Sequence, residues 1–188
     1  CRDRALRTLA HDLYIDAPVI RAIEPSNERQ KKNALEIIES KGRSRIGILG
    51  LSFKSGTDDL RCSPIVDVAE ELLGRGYDLR IYDKNVRVSQ LTGTNADFIR
   101  AKLPHLHEII TDDLDVVAAA SDVLVITNRE REFETIPDRY PHKIIVDLVR
   151  QFQTLDYDGH YEGISWKNIN VNAAQEQAIA RDREGTDF

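Results

Sequence analysis

Long apolar runs, a cysteine framework and a basic surface are all missing from this 188-residue sequence. No apolar run approaches the roughly 20 residues that a transmembrane helix needs. No apolar stretch follows the charged residues 1–4, as a secretory signal would require. Two cysteines, Cys1 and Cys62, are too few for a disulfide framework and lack the spacing of metal ligands. These absences predict a cytoplasmic protein without a membrane span.

The charge balance excludes one large class of partner. A net charge of −6 argues against a general nucleic-acid binder, whose footprint is a strongly basic face. A small phosphorylated ligand is compatible with that charge, because one or two placed cations suffice to hold it.

The pair His105-x-His107 has no third ligand nearby, so we expect no metal site. Because the sequence begins with Cys1 rather than methionine, we expect it to be part of a larger protein.

The first forty residues have the apolar spacing of helices. Apolar side chains recur at helical intervals before Pro18, namely Leu6, Leu9, Leu13 and Tyr14. A second helix is predicted from about Ser26 to Ser40, with Ser26 or Asn27 as its N-cap. These helices have no core of their own and must pack on something else. We therefore expect residues 1–42 to link domains or to form a dimer.

From Arg45 onward, short apolar segments alternate with helical ones. Predicted strands lie at 46–51, 79–83, 108–110, 123–127 and 143–147, with a final edge strand at 161–166. Ser63-Pro64 opens a helix, with Ser63 as N-cap and Pro64 at the first helical position. This alternation predicts an α/β fold, a Rossmann-like doubly wound parallel sheet, over residues 43–167. Residues 168–188 form a polar tail.

In such a sheet, ligands bind beyond the carboxyl ends of the strands, near the switch in strand order. The stretch after the first strand has neither the G-x-G-x-x-G dinucleotide fingerprint nor a Walker loop. It offers Lys54, Arg61 and the amides at the helix start, which together suit a diphosphate. Alternatively, Arg61 pairs with Asp58 or Asp59 and ties the loop down. Asp83, which ends the second strand, is either a ribose-binding acid or a solvated turn residue.

Residues 50–64, GLSFKSGTDDLRCSP, resemble the signature that opens the C-terminal domain of the UDP-glucose/GDP-mannose dehydrogenase family. The likeness continues through 76–83, 113–115, 121–125 and 146–149, and it ends near 162–166. Upstream, residues 26–30 are similar to the start of the family's long central helix. Within the family, the likeness through residues 85–103 favours GDP-mannose over UDP-glucose.

The resemblance implies a reaction in which the C6 alcohol of a nucleotide sugar is oxidised to a carboxylate with two NAD. It implies that Lys54 contacts the nucleotide sugar, that Phe53 lies beside it, and that Arg61 reaches the NAD. It also implies a dimer formed by the central helices, and an NAD domain that is N-terminal in the family and missing here. This chain alone is therefore expected to be inactive.

The first residues depart from the family pattern. Cys1 falls at the position of the family's catalytic cysteine, in a motif that usually reads C-x-P-K-D and here reads C-R-D-R-A. Arg4 could still offer a cation to the cofactor, but Ala5 cannot supply a carboxylate. The altered motif keeps an alternative open, in which the chain is a non-catalytic nucleotide-binding and dimerisation module.

Overall fold

A seven-stranded sheet forms the centre of the molecule, in the order β3-β2-β1-β4-β5-β6-β7. The computed structural model describes residues 2–87, 91–152, 157, 159–164 and 166–167, without the side chains of residues 2–4, 7, 166 and 167. The strands are β1 (Arg45–Leu49), β2 (Asp78–Tyr82), β3 (Ile110–Thr111), β4 (Val123–Ile126), β5 (Ile144–Asp147), β6 (Tyr161–Gly163) and β7 (Trp166–Lys167). The first six are parallel, and β7 pairs antiparallel with β6. The predicted doubly wound α/β fold is confirmed.

Helices cover both faces of this sheet. They are α1 (Arg2–Asp12), α2 (Pro18–Glu39), α3 (Pro64–Gly74), α4 (Gly93–Lys102), α5 (Leu106–Ile109), α6 (Leu114–Ala120) and α7 (Ile136–Arg139), and a 3₁₀ turn spans Arg131–Thr135. One apolar layer lies between the sheet and the side of α2, α3 and α4, and includes Leu35, Ile38 and Leu72. A second layer lies on the other face and includes Val117, Phe133 and Ile136.

The strands are short and almost wholly apolar because the sheet is buried on both faces. All four residues of β4 are buried, which fits its place next to β1 at the middle of the sheet. The chain crosses from β3, at one edge, back to β4 beside β1. The strand order therefore reverses between β1 and β4, and the carboxyl ends of these two strands form the switch point.

Only the second half of α2 is part of the core. Its buried residues are Ala34, Leu35 and Ile38, whereas its N-terminal turns and most of α1 are exposed. Ion pairs attach this half of α2, and the residues just after it, to the rest of the domain. Lys31 forms an ion pair of 2.8 Å with Asp67 on α3, and Lys41 pairs with Glu162 on β6. The Lys41–Glu162 pair is largely buried, because the side chains are only 5% and 12% exposed.

Three predicted boundaries were wrong. The second helix begins at Pro18 rather than near Ser26, because Pro18 already occupies its first turn and the helix continues through Pro25. Residues 108 and 109 belong to the short helix α5, and only Ile110–Thr111 pair with β2. The predicted last strand is two strands, β6 and β7, joined as a hairpin. The proposed tail, residues 168–188, lies outside the described residues.

Candidate functional site

The loop that follows β1 lies at the switch point of the sheet. Residues 50–63 leave the carboxyl end of β1 and lead into α3, which begins at Pro64 with Ser63 as the N-cap, as predicted. The Ser63 hydroxyl donates to the carbonyl of Leu51 at 2.8 Å, so it fixes the start of the loop and makes no capping bond to the helix. The position of this loop is the one at which open α/β sheets bind their ligands.

The crevice directly beyond β1 and β4 is nearly filled. It encloses about 10 Å³ between Gly50, Ser52, Asn128 and Glu130, which is about the space of one water. Gly50 has a φ of 98°, and a Cβ added there would lie 2.8 Å from the Cβ of Asn128. Asn128 in turn donates to the carbonyl of Ser52 at 3.2 Å. A dinucleotide pyrophosphate therefore has no room in this crevice, in agreement with the missing glycine fingerprint.

Asp83 is neither a ribose-binding acid nor a solvated turn residue. It is only 4% exposed, and its Oδ2 accepts the backbone N–H groups of Leu51 at 2.9 Å and Ser52 at 3.0 Å. Its Oδ1 accepts the N–H of Asn85 at 3.0 Å. Both earlier interpretations are corrected, because these three donors already occupy the carboxylate. Asp83 holds the start of the loop against the end of β2.

Phe53 and Lys54 project from the middle of this loop. Phe53 is 56% exposed, although its backbone N–H donates to the carbonyl of Asp59 at 2.9 Å. Lys54 is exposed too, and among the described residues its ammonium group makes no hydrogen bond or ion pair. The loop backbone is thus fixed while an aromatic ring and an unpaired cation remain accessible. This arrangement suits a ligand that carries both a ring and a phosphate.

Arg61 is already engaged within the loop. Its guanidinium pairs with both carboxylate oxygens of Asp59, each at 2.9 Å, and its Nη1 donates to Thr94 Oγ1 at 3.0 Å. The hydrogen bonds from Arg61 hold the pKa of the Asp59 carboxyl below its usual value. Of the two alternatives at Arg61, the structure shows the pairing with Asp59. About half of the Arg61 side chain remains exposed, so a bound anion could still reach it.

Arg61 also lies on the wall of a larger cleft. This cleft of about 540 Å³ is bounded by α2, the start of α3 and α4, with Asn27, Lys31, Pro64, Phe98 and Lys102 among its lining residues. Lys31 and Lys102 both pair with Asp67, at 2.8 and 3.2 Å. The cleft is large enough for part of a nucleotide.

The other predicted site residues are less informative. Cys1 lies outside the described residues, and Arg4 is within α1 but its side chain is not described. Cys62 is exposed on the rim of the cleft, with a φ of 62°. Within the described ranges, no three side chains of His, Cys, Asp or Glu are grouped to hold a metal ion. No described helix has the length and apolar content needed to cross a bilayer.

Several residues that hold the loop were not identified from the sequence. Asn95 on α4 accepts the N–H of Leu60 at 3.1 Å and donates to the carbonyl of Asp58 at 3.0 Å. Glu130, which follows β4, accepts a hydrogen bond of 2.5 Å from the hydroxyl of Ser55. Each lies more than thirty residues from its partner in the loop. Only their place just after a strand or early in a helix could have indicated a role at this edge of the sheet.

Comparison with known proteins gives a consistent family match. The protein-family model described as "UDP-glucose/GDP-mannose dehydrogenase family, UDP binding domain" matches residues 47–154. This range includes the whole loop. The GDP-mannose 6-dehydrogenase of Pseudomonas syringae pv. tomato is 42% identical over 166 residues, covering 87% of this chain. The UDP-glucose 6-dehydrogenase of Rickettsia felis is 27% identical over 155 residues, covering 77% of this chain.

Solved structures agree with the sequence matches. A ternary complex of GDP-mannose dehydrogenase from Pseudomonas aeruginosa superposes with a TM-score of 0.77 and 41% identity, covering 88% of this chain. A UDP-glucose dehydrogenase from Pyrobaculum islandicum gives a TM-score of 0.66 and 25% identity over 87% of this chain. The chain spans 38% of the length of the Pseudomonas syringae relative, 32% of the Rickettsia one, and 38% and 36% of the two solved chains.

Proposed function

Because the chain belongs to the UDP-glucose/GDP-mannose dehydrogenase family, we propose that it is the nucleotide-sugar-binding part of an NAD-dependent nucleotide-sugar 6-dehydrogenase. The observation that supports this most directly is Lys54, an exposed ammonium group that has no partner among the described residues and lies on a loop with a fixed backbone. A diphosphate would be an anionic partner for the ammonium group of Lys54. The exposed ring of Phe53 offers an apolar contact beside Lys54.

The substrate that we propose is GDP-mannose. Identity is 42% to the GDP-mannose 6-dehydrogenase of Pseudomonas syringae and 27% to the UDP-glucose 6-dehydrogenase of Rickettsia felis. The higher identity extends over a longer part of this chain, 166 against 155 residues. UDP-glucose is the alternative substrate, and direct binding measurements separate the two.

NAD would supply the hydride acceptor for oxidation of the C6 alcohol. The filled crevice beside Gly50 does not fit this cofactor, so we propose that residues outside this chain hold most of it. Arg61 fits a contact with it, because half of its side chain is exposed at the rim of the cleft. Arg4 is proposed as a further cation toward the cofactor and Cys1 as the nucleophile of the whole enzyme.

Calorimetric titration tests the binding function. We expect the 188-residue chain to bind GDP-mannose more tightly than UDP-glucose. Lys54→Ala removes a charge-assisted contact worth about 1.5–3 kcal/mol and should weaken binding by about tenfold or more. Lys32→Ala is the matched control, because Lys32 is exposed on α2 and also lacks a partner among the described residues. Equal affinity of Lys54→Ala and the unaltered chain, or no heat from either sugar, would contradict a site on this chain.

We also propose that a second copy of the chain covers the N-terminal helices. Leu9, Leu13 and Tyr14 are exposed on and just after α1, and Val19 at the start of α2 is 79% exposed. Such a concentration of exposed apolar side chains is typical of an interaction surface. Leu13→Glu should convert a dimer to a monomer in sedimentation velocity, whereas an unchanged mass would exclude this surface. The division at residues 42 and 167 and the cytoplasmic location remain predictions.

The motif C-R-D-R-A supports a second candidate, a non-catalytic binding and dimerisation module. The two candidates differ in one measurement on the complete protein from which the chain comes. Formation of NADH from GDP-mannose that is lost in Cys1→Ala would exclude the non-catalytic module. Binding of the sugar without turnover would exclude the dehydrogenase.

A further inference from the structure

Two carboxylates hold the loop on either side of Phe53 and Lys54. Asp83 accepts the N–H groups of Leu51 and Ser52, which precede the pair. Glu130 binds Ser55, which follows the pair, through a hydrogen bond of 2.5 Å from the Ser55 hydroxyl. The backbone N–H of the next residue, Gly56, lies close enough to help lower the pKa of Glu130. The exposed pair is therefore the middle of a short span that is fixed at both ends.

Glu130 is a largely buried carboxylate with a second partner besides the loop. Its side chain is 16% exposed, and its Oε2 accepts a hydrogen bond of 3.0 Å from the ammonium group of Lys84. Burial alone would raise the pKa of Glu130, but the hydrogen bonds from Ser55 and Lys84 outweigh it and lower the pKa. Glu130 is thus ionised at neutral pH, and it shares the ammonium group of Lys84 with Glu132. Lys54 remains unpaired among the described residues.

Lys84 is itself fixed in place. It forms a second ion pair of 2.8 Å with Glu132, and Glu132 accepts a hydrogen bond of 2.7 Å from the hydroxyl of Tyr82. Glu130 is also fixed from the other side, because its carbonyl accepts the side-chain amide of Gln151 at 3.0 Å. The carboxylate therefore has a defined position at the edge of the sheet, and it transmits that position to the loop.

We propose that Glu130 is a positioning residue that holds Ser55 so that Lys54 is presented to the phosphates of the nucleotide sugar. The ligand in this statement rests on the proposed function, whereas the hold on the loop does not. A fixed loop avoids the entropy cost of ordering it when the ligand binds, so its benefit is measured as affinity.

Amide hydrogen exchange tests the hold on the loop without any ligand. In Glu130→Ala, we expect exchange at residues 55–57 to accelerate by about tenfold or more, because the loop loses the hydrogen bond that holds Ser55. Glu130→Gln keeps an acceptor oxygen and should fall between Glu130→Ala and the unaltered chain. Glu134→Ala is the matched control, because Glu134 is an exposed carboxylate four residues away whose side chain makes no hydrogen bond or ion pair among the described residues. Equal exchange in Glu130→Ala and Glu134→Ala would overturn the proposal.

Titration with GDP-mannose then tests the consequence for binding. We expect Glu130→Ala to weaken binding by about tenfold, Glu130→Gln by less, and Glu134→Ala not at all. Lys54→Ala should lose affinity with unchanged loop exchange, a pattern that a general loss of structure would not give. Suppose that Lys54→Ala weakens binding, and that Glu130→Ala loosens the loop but leaves binding unchanged. The positioning role of Glu130 is then overturned, while the proposed function stands. If Lys54→Ala binds normally, the proposed function fails, and the exchange measurement still decides whether Glu130 holds the loop.

Discussion

Asp83, at the end of β2, accepts a hydrogen bond of 2.9 Å from the backbone N–H of Leu51, which lies 32 residues earlier in the chain. This bond joins two neighbouring strands just beyond the last residues that they pair. It occupies the place where many dinucleotide-binding sheets hold a ribose. A carboxylate at a ligand position has here become a support for the loop.

Asp83→Asn should destabilise the fold. Three N–H groups donate to the carboxylate, and an asparagine amide can offer an acceptor on one side only. We expect a loss of about 2–3 kcal/mol in the free energy of unfolding, measured by urea denaturation. Asp97→Asn, at an exposed position on α4, is the control and should change little. Equal stabilities of the two variants would contradict the role of Asp83.

A series of glycine substitutions separates strain from crowding. Gly50 and Gly56 both have positive φ, but a Cβ meets Asn128 only at Gly50, and at Gly56 it meets nothing within 4 Å. Gly74, within α3, has an ordinary φ and open space around it. We expect Gly50→Ala to cost about 2 kcal/mol or more and Gly56→Ala about 1 kcal/mol, with Gly74→Ala neutral or stabilising. Thermal unfolding checks this order, and a Gly50→Ala no worse than Gly56→Ala would exclude the contact with Asn128.

Asp67 makes the stability of the fold depend on pH. Burial would raise its pKa, but the hydrogen bonds from Lys31 and Lys102 outweigh it, so the pKa of Asp67 in the folded state lies below its usual value. As pH falls, the unfolded state therefore takes up this proton first. The stabilisation is fully present above about pH 5 and is lost as pH falls through the folded pKa.

Urea denaturation between pH 7 and pH 2.5 tests this dependence. The difference in unfolding free energy between the unaltered chain and Asp67→Asn should be constant down to about pH 5 and shrink below it. Asp97→Asn should show a weaker trend, because Asp97 and its partner Arg100 are both largely exposed. A difference independent of pH would show that Asp67 does not stabilise the fold through its charge.

The buried pair of Lys41 and Glu162 should be strongly coupled. Lys41→Met leaves the largely buried carboxylate of Glu162 without its ammonium partner. We expect a loss of about 3 kcal/mol, and partial recovery in the double variant Lys41→Met/Glu162→Gln. A double-mutant cycle by chemical denaturation measures the coupling. Arg100→Met, which breaks an exposed pair, is the control.

Sequence patterns predicted the sheet better than the site. Strands such as 123–126 are continuous apolar runs, and burial on both faces leaves a clear trace in composition. The start of α2 was missed because Ser26 and Asn27 are favoured N-cap residues, although Pro18 begins the helix earlier.

The supports of the loop left no such trace. Asp83 and Glu130 are ordinary acidic residues in the sequence, and their roles depend on which backbone donors the loop brings to them. The sequence indicated Lys54 and Arg61 as two equivalent cations. In the structure, Arg61 pairs with Asp59, whereas Lys54 has no partner among the described residues. Spacing places side chains on a loop, but only three-dimensional contacts decide which charges stay available.

The attachment of α2 has a mechanical consequence. Its C-terminal half is held in the domain by Ile38 and by the ion pair of Lys31, and the ion pair of Lys41 follows just after the helix, whereas its first turns are mostly exposed. We therefore expect any bending of α2 to concentrate near Lys31. The partner of Lys31, Asp67, lies on the wall of the cleft that Arg61 also lines. A movement of α1 and the first turns of α2 would therefore change the shape of the cleft first.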